Sequence, residues 1–125
     1  MTLDARSERN LVGVHPDLVR VIHRAHALAV IAEVPFVVIE GLRTIERQRE
    51  LYRLKKTQTL KSRHLTGHAI DVMEAGGTWP FAIYKRIAAV IKGAAQEIGV
   101  PIEWGGDWLT FKDGPHYQLP TAQYP

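Results

Sequence analysis

Apolar residues recur at helical spacing through Leu18, Ile22, Ala25, Ala29 and Ala32, which predicts an amphipathic helix facing a core. Its start is marked by His15-Pro16-Asp17, because proline suits the first helical position and an acid suits the first turn. The period then changes. Phe36-Val37-Val38-Ile39 are all strand formers, so Pro35 to Glu40 reads as a short, mostly buried strand that Gly41 ends. Thr44 can cap a second helix from Ile45 to about Lys56, whose Glu46, Arg47, Arg49, Glu50 and Arg53 make a solvated face. Thr57 to Lys61 is a polar connection. His68 to Met73 reads as a strand in which Gly67, Ala69 and Asp71 share one face and His68, Ile70 and Val72 the other. That parity puts Asp71 among small residues that leave room for an ion, and turns His68 away.

The widest apolar stripe is Ile83, Ile87, Val90, Ile91, Ala94, Ala95 and Ile98, a third helix entered through Trp79-Pro80 and stopped by Gly99. Val100 to Trp104 reads as a strand, Gly105-Gly106-Asp107 as a turn, Pro115 to Leu119 as a last short strand, and Pro120 to Pro125 as a peripheral tail. The order predicts an α+β fold, a small and largely antiparallel sheet flanked by about three helices. Neither repeats nor linkers interrupt it, so residues 1–125 read as one domain with its core at about 14–119 and no second domain.

Composition narrows the chemistry. The chain has no cysteine, which excludes disulfides and thiolate metal sites. A net charge of +3 and a pI near 9.4 favour anionic surroundings, but no basic run is long and no aromatic-basic interleaving suggests nucleic-acid binding. Met1 to Asn10 is polar and unlike a secretory signal, and no apolar run would span a bilayer, so synthesis in the cytoplasm without membrane insertion is expected. His23 and His26 lie in the first helix without a metal-site partner and read as partly exposed.

His64, Asp71 and His116 remain. Two imidazoles and a carboxylate can hold one zinc ion and leave a fourth position open, as catalysis requires. Imidazole nitrogen favours zinc over magnesium or calcium, but does not single it out from manganese or nickel. Asp113-Gly114-Pro115-His116 is a tight turn that can bring Asp113 beside His116, where a carboxylate can act as proton acceptor. Spacing alone leaves open a chance grouping, and a turn aspartate that satisfies only its own backbone.

These residues stand in a larger pattern. Ser62-x-His64-x-x-Gly67-x-Ala69-x-Asp71 with Asp113-x-x-His116 resembles the D-alanyl-D-alanine peptidase and VanY-like family of zinc peptidases. Gly41-Leu42-Arg43-Thr44 with Gln48, Glu103-Trp104-Gly105-Gly106-Asp107-Trp108 and Val14-His15-Pro16-Asp17-Leu18 extend the likeness from about Val14 to Leu119. The short form with Asp before the last histidine looks like the L-alanyl-D-glutamate endopeptidases of phage endolysins. The resemblance implies a Hedgehog/DD-peptidase-like fold and a peptidoglycan substrate. It implies one Zn2+ on His64, Asp71 and His116, with Asp113 as general base. Arg43 would bind a substrate carboxylate or the oxyanion, Ser62 would bond within its loop or to substrate, and Trp104 and Trp108 would wall the cleft. Gly67 and Ala69 would keep space beside the ion. It further implies a monomer held in the host cytoplasm until a separate pore protein releases it to the cell wall. A D,D-carboxypeptidase or dipeptidase acting on D-Ala-D-Ala termini, and a non-catalytic zinc-containing binding module, are the alternatives.

Overall fold

A computed structural model describes residues 3–110 and 112–125. Of the polar N-terminal stretch, Met1 and Thr2 lie outside the described residues. Four α-helices, α1 (Ala5–Asn10), α2 (Pro16–Ile31), α3 (Ile45–Arg53) and α4 (Phe81–Ile98), accompany four strands, β1 (Phe36–Glu40), β2 (Ala69–Glu74), β3 (Glu103–Trp104) and β4 (His116–Gln118). The sheet runs β1-β2-β4-β3 and every pairing is antiparallel. The fold is α+β, as the pattern of periods implies, with one helix more than expected.

That helix, α1, lacks an apolar stripe. It is started by the Asp4 carboxylate, which accepts from the Ser7 amide, and it docks through Ser7, whose hydroxyl accepts from the Val38 amide. The core therefore reaches beyond 14–119: Leu3 and Leu11 are buried in it and Tyr124 packs against it. The C-terminal tail is not peripheral either. The Tyr124 hydroxyl donates to Asp17, and the Arg63 guanidinium donates to the carbonyls of Leu119 and Tyr124.

The long helices follow their stripes. Leu18, Val21, Ile22, Ala25 and Ala29 of α2 face Tyr84, Ile87, Ala88, Ile91 and Ala94 of α4 across the core. Ala32 lies past the end of α2 and is exposed, because helix geometry stops one residue earlier. The imidazole Nδ1 of His15 caps α2 at the Asp17 amide, and Thr44 caps α3 at the Arg47 amide. Helix α3 is shorter than its pattern suggests. Lys55 turns left-handed at φ 60° and the Lys56 amide reaches back to the Leu51 carbonyl, closing the helix end.

Two strand features set up the site. Pairing places His116 directly across from Asp71, and same-face neighbours on adjacent strands touch. In β1 a bulge between Val38 and Glu40 shifts the register so that Glu40, not Ile39, faces Asp71. The expected strand at Val100 shortens to Glu103–Trp104, and the 105–107 turn winds into a single 3-10 turn.

Candidate metal centre

His64 arrives from a 3-10 turn, Arg63–Thr66, just before β2. Ser62 starts that turn by accepting from the His64 amide, a bond within the loop. Gly67 ends it with φ 75°, and a Cβ there would lie 2.3 Å from the Gly13 carbonyl oxygen. Only glycine fits. Gly67 thus serves a close backbone approach rather than space for an ion. The residue before the strand, His68, bonds Thr66 and lies beside the ring of His15, away from Asp71.

Three donor atoms converge. Asp71 Oδ1 is 3.3 Å from His64 Nε2 and 3.3 Å from His116 Nδ1. Ligand atoms of the three residues lie within 4.8 Å of one another, a group that could hold a metal ion. The second nitrogen of each ring is already engaged. His64 Nδ1 donates to the Gly41 carbonyl at 2.8 Å, which leaves Nε2 as a bare lone pair. His116 Nε2 donates to Gln118 Oε1 at 2.8 Å, and Gln118 Nε2 donates to Glu103 Oε2 at 3.1 Å. A carboxylate only accepts, so Glu103 fixes which end of the amide faces His116. His64 Nε2 is fully buried and has no hydrogen-bond partner. A buried polar atom without a partner is costly, and a cation in this group would satisfy it. The donor set of two imidazoles and one carboxylate suits zinc.

Electrostatics divides the acids. Burial opposes charge on Asp71, but the adjoining His116 and His64 rings outweigh it and hold the carboxyl far below the usual range. Asp113 shifts the other way. Burial, then the nearby Asp71 charge, push its carboxyl up. His116 is pulled down by burial, yet the Asp71 hydrogen bond and charge outweigh this and raise it. Two carboxylates of one cleft are thus separated in proton affinity.

The Asp113–His116 turn closes with the His116 amide on the Asp113 carbonyl at 3.1 Å, and Val72 bonds Pro115. Gly105 presses against Asp113: a Cβ on it would lie 2.4 Å from the Asp113 carbonyl oxygen and 3.0 Å from its Cβ. The cleft over the group has a volume of about 520 Å³ and is lined by Arg43, Ser62, His64, Asp71, Trp108 and Asp113, among others. Trp108 lies 5.2 Å from the His116 ring.

Trp104 is elsewhere. Its ring is buried, stacks on Phe81 and donates to the Gly114 carbonyl at 2.7 Å, so it supports the Asp113 turn from beneath and does not wall the cleft. Arg43 lines the cleft but its guanidinium is engaged. Nε and Nη2 grip Glu40 at 2.6 and 2.8 Å, Nη1 bonds the fully buried Gln48 at 2.7 Å, and Nη2 stands 3.8 Å from Asp71 Oδ2. Gln48 also donates to the Thr59 carbonyl, tying the 57–61 connection to the same network. The bidentate grip of Glu40 goes unseen in the sequence, since only the bulge brings it opposite Asp71. Gln118 is legible in hindsight, because it stands two residues from His116 on the same strand face.

A model of the phage L-alanyl-D-glutamate peptidase family matches residues 1–119. The crystal structure of Serratia marcescens L-Ala D-Glu endopeptidase ChiX superposes with a TM-score of 0.89 at 54% identity, covering 100% of this chain and 94% of that one. An L-alanyl-D-glutamate peptidase of Listeria phage A118 is 36% identical over 89 residues, or 70% of this chain, and this chain spans only 31% of that protein. The vancomycin resistance D,D-pentapeptidase VanY, solved in complex with Zn(II), shares the fold at a TM-score of 0.61 and 16% identity, over 85% of this chain and 72% of that one.

Proposed function

Because this chain belongs to the phage L-alanyl-D-glutamate peptidase family, we propose that it is a zinc endopeptidase cutting the L-alanyl–D-glutamate bond of peptidoglycan stem peptides. The observation that carries this reading is the buried, partnerless His64 Nε2 aimed at Asp71 and His116, with Asp113 on the wall of the same cleft. His64 Nε2, Asp71 Oδ1 and His116 Nδ1 would hold the ion. When bound, zinc supplies Lewis acidity that polarises a carbonyl and makes water acidic near neutral pH.

The chain's own residues do the rest. The Asp113 carboxylate takes a proton from the attacking water and returns it to the departing amine nitrogen. Its raised proton affinity suits both halves of that exchange. Glu40 and Gln48 hold Arg43 against the cleft floor, where its charge faces Asp71 and steadies that ligand. Ser62 shapes the turn that delivers His64, and Trp108 forms one wall.

We further infer that the enzyme works as a monomer on the cell wall, is made in the host cytoplasm and is released by a separate pore protein. No described helix is long and apolar enough to cross a membrane. Digestion of purified peptidoglycan tests the reading. New amino-terminal D-glutamate, lost on chelation and regained with zinc, supports it. Free D-alanine as the product would replace it with a carboxypeptidase.

A further inference from the structure

The cleft does not end at the metal group. Past Trp108 it continues into a second concavity of about 580 Å³ that shares Lys56, Thr57, Thr59, Trp108 and Asp113 with the first. Its walls carry Lys55, Lys56 and Lys112, and Lys61 stands on the near rim. All four are exposed. Among the described residues, none of the four has a carboxylate within ion-pair distance, whereas Arg20, Arg24, Arg43, Arg47 and Lys92 each do. Lys112 reaches only the Gly106 carbonyl. The one acid on this wall is Asp113. The chain thus leaves a group of unneutralised cations on one side of the site.

That side has a direction. A group that returns a proton to the leaving nitrogen must lie within hydrogen-bond reach of it. The leaving half of the substrate therefore passes Asp113, and the lysine-lined concavity begins there. This step rests on the endopeptidase reading above. In the leaving half, D-glutamate carries two carboxyl groups and a chain continuing through one of them leaves the other free. A free carboxylate then sits within a few bonds of the scissile nitrogen, on the lysine side.

We propose that Lys56 and Lys112, supported by Lys55 and Lys61, form a subsite for the free carboxylate of the residue that follows the cut bond. The subsite selects an acidic residue over its amide. It acts through charge more than shape, because ammonium groups on flexible stems make point contacts. Its selectivity consequently shrinks as salt screens the pair.

The test uses the zinc-loaded protein and two synthetic stem peptides, one with D-glutamate after L-alanine and one with the neutral carboxamide at the free carboxyl. The expected preference in kcat/KM for the acid is about tenfold at low salt, the scale of a few partly exposed ion pairs. It should lie mainly in KM and fall in high salt. In the K56M/K112M double variant the ratio should fall towards one. Single variants K56M and K112M guard against a folding defect in the double. Equal cleavage of both peptides by the unmodified enzyme overturns the subsite and leaves the endopeptidase reading intact. So does a double variant that loses activity on both peptides in equal proportion. Cleavage of neither peptide removes the endopeptidase reading, and the subsite with it.

Discussion

Replacing Gln118 with leucine removes the oxygen that accepts from His116 Nε2 at 2.8 Å while keeping a side chain of similar size. The His116 side chain is only 8% exposed, so water cannot easily substitute. A buried donor left without a partner costs about 1–3 kcal/mol. Without metal the ring can escape that cost: the proton moves to Nδ1, where Asp71 Oδ1 accepts at 3.3 Å. A metal ion would have to reverse the move, because it needs the Nδ1 lone pair. The penalty therefore falls on metal binding rather than on folding. Outer partners of ligating histidines are typically worth about 10–100-fold in affinity. The expected result for Q118L is a zinc dissociation constant raised by that factor, with the melting temperature of the metal-free protein nearly unchanged. Competition against a chromogenic chelator measures the first, and thermal unfolding in excess chelator the second. Q118E should recover part of the loss, since a carboxylate accepts strongly from His116 but gives up the amide that donates to Glu103. Equal zinc affinity in Q118L and the parent refutes the reasoning. So does a large loss of metal-free stability without a loss of affinity.

Asp113→Ala should retain one zinc per chain by elemental analysis and lose about 10²–10⁴-fold in kcat, the usual share of a general base; near-parent turnover would remove Asp113 from the chemistry. Gly67→Ala forces a Cβ to 2.3 Å from the Gly13 carbonyl at a left-handed φ, so a loss of about 2 kcal/mol, or roughly 8 °C in melting temperature, is expected by calorimetry. The Asp17 carboxyl is held low first by the Tyr124 hydroxyl and then by Arg20. A lowered carboxyl contributes stability above its unfolded pKa and loses it as pH falls through the folded one. The stability gap between the parent and Y124F should therefore be full at neutral pH and close in acid below about pH 4, the ordinary aspartate range. A gap that widens in acid would contradict the assignment. Glu40→Gln should loosen the bidentate grip on Arg43 and lower activity with zinc still bound, read as turnover per bound ion.

The long helices and the metal group were legible because their signals are local or chemical. Stripes with a 3.6 period, Pro16 at a helix start and Gly99 at a helix end each act over a few residues. His64, Asp71, His116 and Asp113 were singled out as metal-binding and acid-base residue types, but their spacing alone left a chance grouping open, and the family resemblance carried the assignment. Long-range contacts were less visible. Helix α1 has no stripe, because it is anchored by the Ser7 hydroxyl on a strand 31 residues away. Trp104 and Trp108 look alike in sequence, four residues apart, and only packing against Phe81 decides that the first supports the Asp113 turn and the second lines the cleft. Arg43 reads as a free cation until the bulge supplies its acid. Tyr124 sits in a proline-flanked tail whose worth depends on Asp17, 107 positions earlier.

The irregularity in β1 fixes what length changes that segment tolerates. By simple alternation Glu40 would share the inward face of Phe36 and Val38, with its charge among apolar groups. The extra Ile39 turns it outward to meet Arg43. Deleting Ile39 would leave Glu40 directly after Val38, still opposite Asp71 on an unkinked ladder, so a shortened protein should keep its clamp. Inserting a residue there would carry the carboxylate off its place opposite Asp71, either to the inward face if the bulge persists or two positions along the partner strand if it does not, and set the guanidinium adrift. This edge of the sheet behaves as a one-way ruler that accepts subtraction and rejects addition.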